Sequence, residues 1–243
     1  ESFRPKVACI TNVTPDHMDR HPTFEHYFET KLRLLGKMTG GDTVVVNERE
    51  PSVCSAALLP SLHGTQTVGV GPEQVFDYDS DGVTVGGNRL ELQGTALEGL
   101  HGAANAAVAW AMVSATGAEL SFETASETLR TFRGLANRME RVAEKDGVLF
   151  INNSMCTNPA AVVASTRSLG RTQTLIMGGN TKGLDFSPVG EYLRESRHRV
   201  VLFGPSRQQM VQELGADWPY AESLQDAFFL AVQASSPGEA IVL

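Results

Sequence analysis

The sequence predicts an α/β protein whose second half is built on a parallel, Rossmann-like sheet. Three observations carry this. From Val148 onward, short β-branched runs alternate with segments of helical spacing. Between Thr65 and Leu97 the pattern is different: short runs separated by Gly and Asp-Gly turns, which suggest small β-hairpins. The chain has 243 residues, 42% hydrophobic and 20% charged, a globular composition sufficient for one large domain or two ordinary ones.

Taken in order, Val7–Val13 reads as a buried strand closed by the turn residues Thr14-Pro15-Asp16. A helix is expected from Phe24 to about Leu35, capped by Thr23, with Phe24, Phe28, Leu32 and Leu35 forming its apolar stripe. Asp42–Asn47 is a second strand. His101 to about Thr116 is an alanine-rich helix ended by Gly117, and Ser121 caps another running to Phe132. Arg133-Gly134-Leu135 reads as a hinge and divides the chain into domains 1–134 and 135–243. In the second, Val148–Asn152, Thr174–Met177, Val200–Phe203 and Ala240–Leu243 are strands. Asn158 caps a helix from Pro159 to Leu169, with proline in its first turn. Ser187, Ser206 and Ser223 are the expected caps of three more.

A net charge of −8 argues against a polyanion-wrapping surface, hence against nucleic acid as a partner, but allows a small anion held locally. Cys9, Cys54 and Cys156 are far apart and form no CxxC pair, so neither a zinc knuckle nor a disulfide framework is suggested. A reduced, cytoplasmic setting is the expectation. No apolar run approaches the roughly 18 residues a membrane span needs, so no membrane partner is expected. Glu1 is not an initiator and Ala240–Leu243 stops within a strand, so the chain reads as a fragment of a longer protein.

Several segments could carry chemistry. Asn12–His21 follows a strand, where open α/β sheets place their ligands, and its ionisable groups suit metal or phosphate work. A solvated polar loop is the alternative. Lys31 lies beside the apolar stripe of its helix, where partial desolvation would expose a neutral amine able to form a carbamate. The alternative is a packed stem with its ammonium in water. Asn153–Asn158 leads into a helix N-terminus, which favours anions. Gly178–Gly183 is a glycine-rich turn with one cation, Lys182, and is no P-loop, since no GxxxxGK[ST] occurs.

Read together, these segments resemble the Mur ligases, most closely those of the MurD type. Asn12–Arg20 is similar to their NVTxDHxDRH segment, and Lys31 falls where their carbamylated lysine lies. His101–Asn105 resembles the HNxxN helix start, Gly134–Glu140 the GLPHRME link, Phe150–Asn158 the FINDSKATN loop and Ile176–Phe186 the ILGGDGKGxDF loop. The resemblance implies part of a mononucleotide-binding central domain followed by a Rossmann-like C-terminal domain, with the UDP-binding domain and P-loop upstream. It implies an ATP- and Mg2+-dependent ligase of peptidoglycan synthesis that joins an acidic amino acid, D-glutamate, to a UDP-linked muramoyl substrate. A monomer is expected. By the same resemblance His17 would ligate magnesium and Lys31, as a carbamate, would hold the metal site. Asn105 and Arg138 would contact the nucleotide, with Asn153 near its ribose. Thr157 and Lys182 would receive the amino-acid carboxylates, with Met155 beside them.

Five positions depart from the pattern: Gly102 stands for asparagine, Asn137 for histidine, Asn153 and Asn180 for aspartates, and Met155 for lysine. Three readings therefore stand: a D-glutamate ligase, a divergent ligase with another amino acid or acceptor, and a non-catalytic nucleotide-binding relative.

Overall fold

A computed structural model of the chain describes residues 3–54, 58 and 64–243. It divides into two compact units: Glu1–Pro15 with Arg20–Arg133, and Asp16–Asp19 with Gly134–Leu243.

The first unit contains β1 (Val7–Cys9), α1 (Phe24–Leu32), β2 (Thr43–Asn47), β3 (Gln66–Val70), β4 (Phe76–Tyr78), β5 (Gly82–Val85), β6 (Asn88–Glu91), α2 (Leu100–Ala115) and α3 (Phe122–Thr131). Its sheet runs β1-β2-β3-β4-β5-β6. The first four strands are parallel, and β4–β5 and β5–β6 are antiparallel. The expected hairpins therefore begin later than Thr65. Every residue of β2 is buried, and such a strand needs neighbours on both sides, so Gln66–Val70 is recruited as its parallel partner. Small side chains on α2, namely Ala103, Ala106, Ala107 and Ala111, pack with Trp110 over Val45, Val70, Val83 and Leu90. Burying a side chain the size of Leu90 contributes about 1.5–3 kcal/mol.

Strand pairing at the start stops at Cys9 rather than Val13, although Ile10 and Val13 remain buried. Thr23 caps α1 as expected, accepting the His26 N–H at 3.2 Å. The α1 stripe is displaced: Tyr27 is its buried residue, whereas Phe24, Phe28 and Leu32 are half-buried. Ser121 caps α3 through the Thr124 N–H at 3.1 Å.

The second unit contains β7 (Glu140–Lys145), β8 (Val148–Asn152), α4 (Pro159–Ser168), β9 (Gln173–Gly178), α5 (Ser187–Arg194), β10 (Arg199–Phe203), α6 (Arg207–Leu214), β11 (Tyr220–Ala221), α7 (Leu224–Ala234) and β12 (Ala240–Val242). Its sheet runs β11-β10-β9-β12-β8-β7, parallel except for β7. One core joins Leu149, Leu175, Leu202 and Val242 to Val189 and Leu193 of α5 and Met210 and Leu214 of α6. The other joins Val148, Ile176, Val201 and Ile241 to Ala227 and Ala231 of α7.

The strand β7 was not expected. Its residues are almost all exposed, as an edge strand's can be, and Asp146-Gly147, with φ 53° and 76°, closes a tight hairpin onto β8. Asn158 and Ser223 cap α4 and α7 as expected, through the Ala161 N–H at 2.8 Å and the Asp226 N–H at 3.1 Å. Ser187 does not cap, and Ser206 stands at the N-cap position of α6 without a side-chain cap bond. Ser187 is already helical, after Phe186, and the Ser206 hydroxyl instead donates to the Gly179 carbonyl at 2.5 Å.

Candidate active site

In the second unit two loops leave the carboxyl ends of parallel strands, the position at which open α/β sheets bind ligands. From β8 the chain runs through Asn153–Thr157 into α4. From β9 it turns through Gly179–Gly183. The β9 loop starts at a point of close approach. A Cβ on Gly178 would lie 2.4 Å from the Phe203 carbonyl oxygen, so only glycine lets β9 and β10 meet there. Asn180 then accepts the Lys182 N–H at 2.8 Å, an Asx turn that holds Lys182 in a left-handed conformation at φ 54°.

This geometry brings two expected residues together. The Lys182 ammonium donates to the Thr157 hydroxyl at 3.3 Å. Asp16 lies 3.9 Å from the same ammonium, and its carboxylate also accepts the His17 N–H at 2.8 Å. His17 is half-buried, left-handed at φ 55°, with its Nε2 3.8 Å from Asp16. A hydroxyl and a cation beside the N-terminal end of α4 can receive a carboxylate. Asp16 lies in the Asn12–His21 segment singled out from the sequence for its ionisable groups, but it was given no role of its own there.

Met155 is 52% exposed. Asn153 is buried, and its Oδ1 accepts the Met139 N–H at 3.1 Å. Burial also raises the Cys156 thiol above the ordinary range. Arg138 is exposed between Asn137 and Met139.

The first unit carries Lys31 and Asn105. Cys9, Ile10, Thr11, Asn12, Tyr27 and Lys31 are among the residues lining a cavity of about 400 Å³. Lys31 is exposed, with Nζ 5.0 Å from the Tyr27 ring centroid, a cation–π distance. The expected partial desolvation of this lysine is not met: Lys31 is exposed, although it lies one turn beyond the buried Tyr27 on the same helix face. Burial does act on Cys9, whose thiol is pushed up to about 11. Asn105 is exposed on α2. The departure at Gly102 has a local cause: a Cβ there would lie 2.1 Å from the Leu97 carbonyl oxygen, so an asparagine does not fit this turn.

Among the described residues no three His, Cys, Asp or Glu side chains form a metal-holding group. Magnesium is commonly held by one or two carboxylates together with substrate phosphates. Asp16 beside His17 fits that partial donor set. No helix of the described residues is long and apolar enough to cross a membrane.

Known proteins share this organisation. The Mur ligase middle domain model matches residues 1–113, and that of the Mur ligase glutamate ligase domain matches residues 137–243. A UDP-N-acetylmuramoylalanine–D-glutamate ligase from Pelotomaculum thermopropionicum is 34% identical over 262 residues, covering 100% of this chain and 55% of that protein. The chain spans about half the length of the curated relatives it matches. Two solved structures are alike in fold. MurF from Acinetobacter baumannii has a TM-score of 0.79 at 17% identity, covering 99% of this chain and 56% of its own. A bifunctional folylpolyglutamate synthase/dihydrofolate synthase from Yersinia pestis, complexed with AMPPNP and Mn, has a TM-score of 0.72 at 19% identity, covering 98% and 58%. With two of the family's domains matched in order along nearly its whole length, the chain belongs to the Mur ligase family.

Proposed function

We propose that the protein containing this chain is an ATP-dependent, ADP-forming ligase of peptidoglycan precursor synthesis, joining D-glutamate to UDP-N-acetylmuramoyl-L-alanine. The observation that carries the reading is the pair formed by Thr157 and Lys182, 3.3 Å apart beside α4. Such a pair would bind a carboxylate of the incoming amino acid and hold its amine toward the acyl carbon. The acceptor carboxylate takes the γ-phosphoryl group of ATP, the amine attacks the acyl carbon, and phosphate leaves as the amide forms. Positioning and charge neutralisation do most of this work. Asn105 and Arg138 are assigned to the nucleotide, with Asn153 on its ribose side. His17 is assigned to a magnesium ion, and Lys31, as its carbamate, to a metal-holding role. Magnesium, when bound, would neutralise charge on the transferring phosphoryl group.

The test is ADP release by the full-length protein given ATP, UDP-N-acetylmuramoyl-L-alanine and D-glutamate. Release that depends on all three supports the reading, and no release above background overturns it. The exposure of Met155, where the resemblance places a lysine, favours one alternative: the same chemistry with another amino acid. Turnover across a panel of acidic and neutral amino acids separates the two, since strict D-glutamate dependence excludes the alternative.

A further inference from the structure

Both neighbours of Arg138 have left-handed backbones, Asn137 at φ 62° and Met139 at φ 45°. Side chains crowd the main chain in that region, so such a turn persists only where its surroundings hold it. Here the surroundings are the residues that leave β8. Asn153 Oδ1 accepts the Met139 N–H at 3.1 Å. Asn152 Nδ2 donates to Asn137 Oδ1 at 2.8 Å. The Met155 N–H donates to the Asn137 carbonyl at 3.1 Å. Glu140 Oε2 accepts the Asn137 N–H at 2.8 Å, and the Arg138 N–H donates to the Leu135 carbonyl at 3.2 Å. Three consecutive residues are thus held from both sides.

The burial is asymmetric. Asn153 is 8% exposed, whereas Asn137 and Arg138 are exposed, so the anchor is internal and the held cation faces outward. A backbone N–H can only donate, which fixes the Asn153 amide with its oxygen toward the turn. That oxygen is already committed.

We infer that Asn152 and Asn153 are positioning residues, which clamp the Asn137–Met139 turn and thereby aim the Arg138 guanidinium at the nucleotide. This rests on the proposed assignment of Arg138 to ATP. A carboxylate at position 153 accepts the same N–H, so Asn153→Asp preserves the clamp, whereas Asn153→Leu removes the acceptor at similar volume. Asn152→Ala removes the grip on Asn137 from an exposed edge and provides a second variant should the buried substitution fail to fold.

The experiment uses the full-length protein and measures KM for ATP and kcat separately. Asn153→Leu and Asn152→Ala are expected to raise KM for ATP roughly 5- to 10-fold, the scale of one lost hydrogen bond, with kcat changed less than about 2-fold. The double variant Asn152→Ala with Arg138→Ala should be no worse than Arg138→Ala alone. Additive losses in that double variant overturn the inference. A purely structural role would lower the melting temperature without moving KM. If Arg138→Ala itself leaves KM for ATP unchanged, the assignment of Arg138 fails, and amide exchange still reads the clamp. The Met139 N–H should exchange faster in Asn153→Leu and remain slow in Asn153→Asp; identical exchange in both rejects the clamp.

Discussion

The two units present their candidate residues in different ways. In the second, Thr157, Lys182, Asn153 and Asp16 sit on loops whose side chains are already engaged with one another or with neighbouring main chain. In the first, Lys31 and Asn105 project from the regular helices α1 and α2 and are exposed. A loop gripped by hydrogen bonds has met much of its ordering cost before a ligand arrives, whereas an exposed side chain meets it on binding. On the proposed assignments, the second unit would offer a carboxylate site ordered in advance, and the first would offer groups that a ligand must still order.

The sharpest way to break this contrast is Lys182→Ala in the full-length protein. Loss of a charge-assisted hydrogen bond of about 1.5–3 kcal/mol should raise KM for the acidic amino acid roughly 10- to 100-fold. An unchanged KM for the amino acid, measured at saturating ATP, would remove the basis for a preformed carboxylate site. Next in size is Gly178→Ala, whose Cβ would meet the Phe203 carbonyl oxygen at 2.4 Å. It should destabilise the second unit by about 1–3 kcal/mol in urea unfolding; a neutral result would show that β9 and β10 can part at no cost. Asn158→Ala removes the α4 cap and should cost about 1 kcal/mol, seen as a lower denaturation midpoint.

A pH-dependent effect comes from Asp42 in the first unit. Hydrogen bonding from the Thr39 N–H, aided by Arg4 and Lys6, lowers this carboxyl to about 2. Its folded value lies below the ordinary 3.8, so the unfolded chain takes up the proton first as pH falls. The stabilisation is complete above pH 4 and is lost as pH falls from about 4 to 2. Asp42→Asn should flatten that limb of a stability–pH curve, and a limb of unchanged slope would point to other carboxylates.

Much of this was readable in the sequence where local chemistry decides the outcome. Thr23, Ser121, Asn158 and Ser223 each cap the helix that follows, because a short polar side chain before an apolar run satisfies the free amides by itself. Val148–Asn152 is a strand with the same bounds. The failures arose where distant groups compete. Ser206 has the right side chain for a cap, but the Gly179 carbonyl takes its hydroxyl. Gln66–Val70 is drawn from a local hairpin into a parallel pairing with β2. Glu140–Lys145 has almost no buried face, so no period marks it; its signal was the Asp146-Gly147 turn. At the candidate site, Thr157 and Lys182 were named through the family resemblance, and the structure brings them within 3.3 Å. The grip of Asn152 on Asn137 was not legible, because it depends on β7 folding back onto β8.

The place of β12 in its sheet has a consequence for biogenesis. It lies between β8 and β9, the strands that deliver Thr157 and Lys182, yet it is translated after all four helices of its unit. A nascent chain released up to α7 has two half-sheets and an open slot, with Ile176 and Val148 awaiting Ile241. Such late, sequence-distant closure is slow and leaves unpaired strand edges open to wrong partners. Thr157 and Lys182 can therefore come together only when the ribosome has supplied the strand that zips the sheet shut.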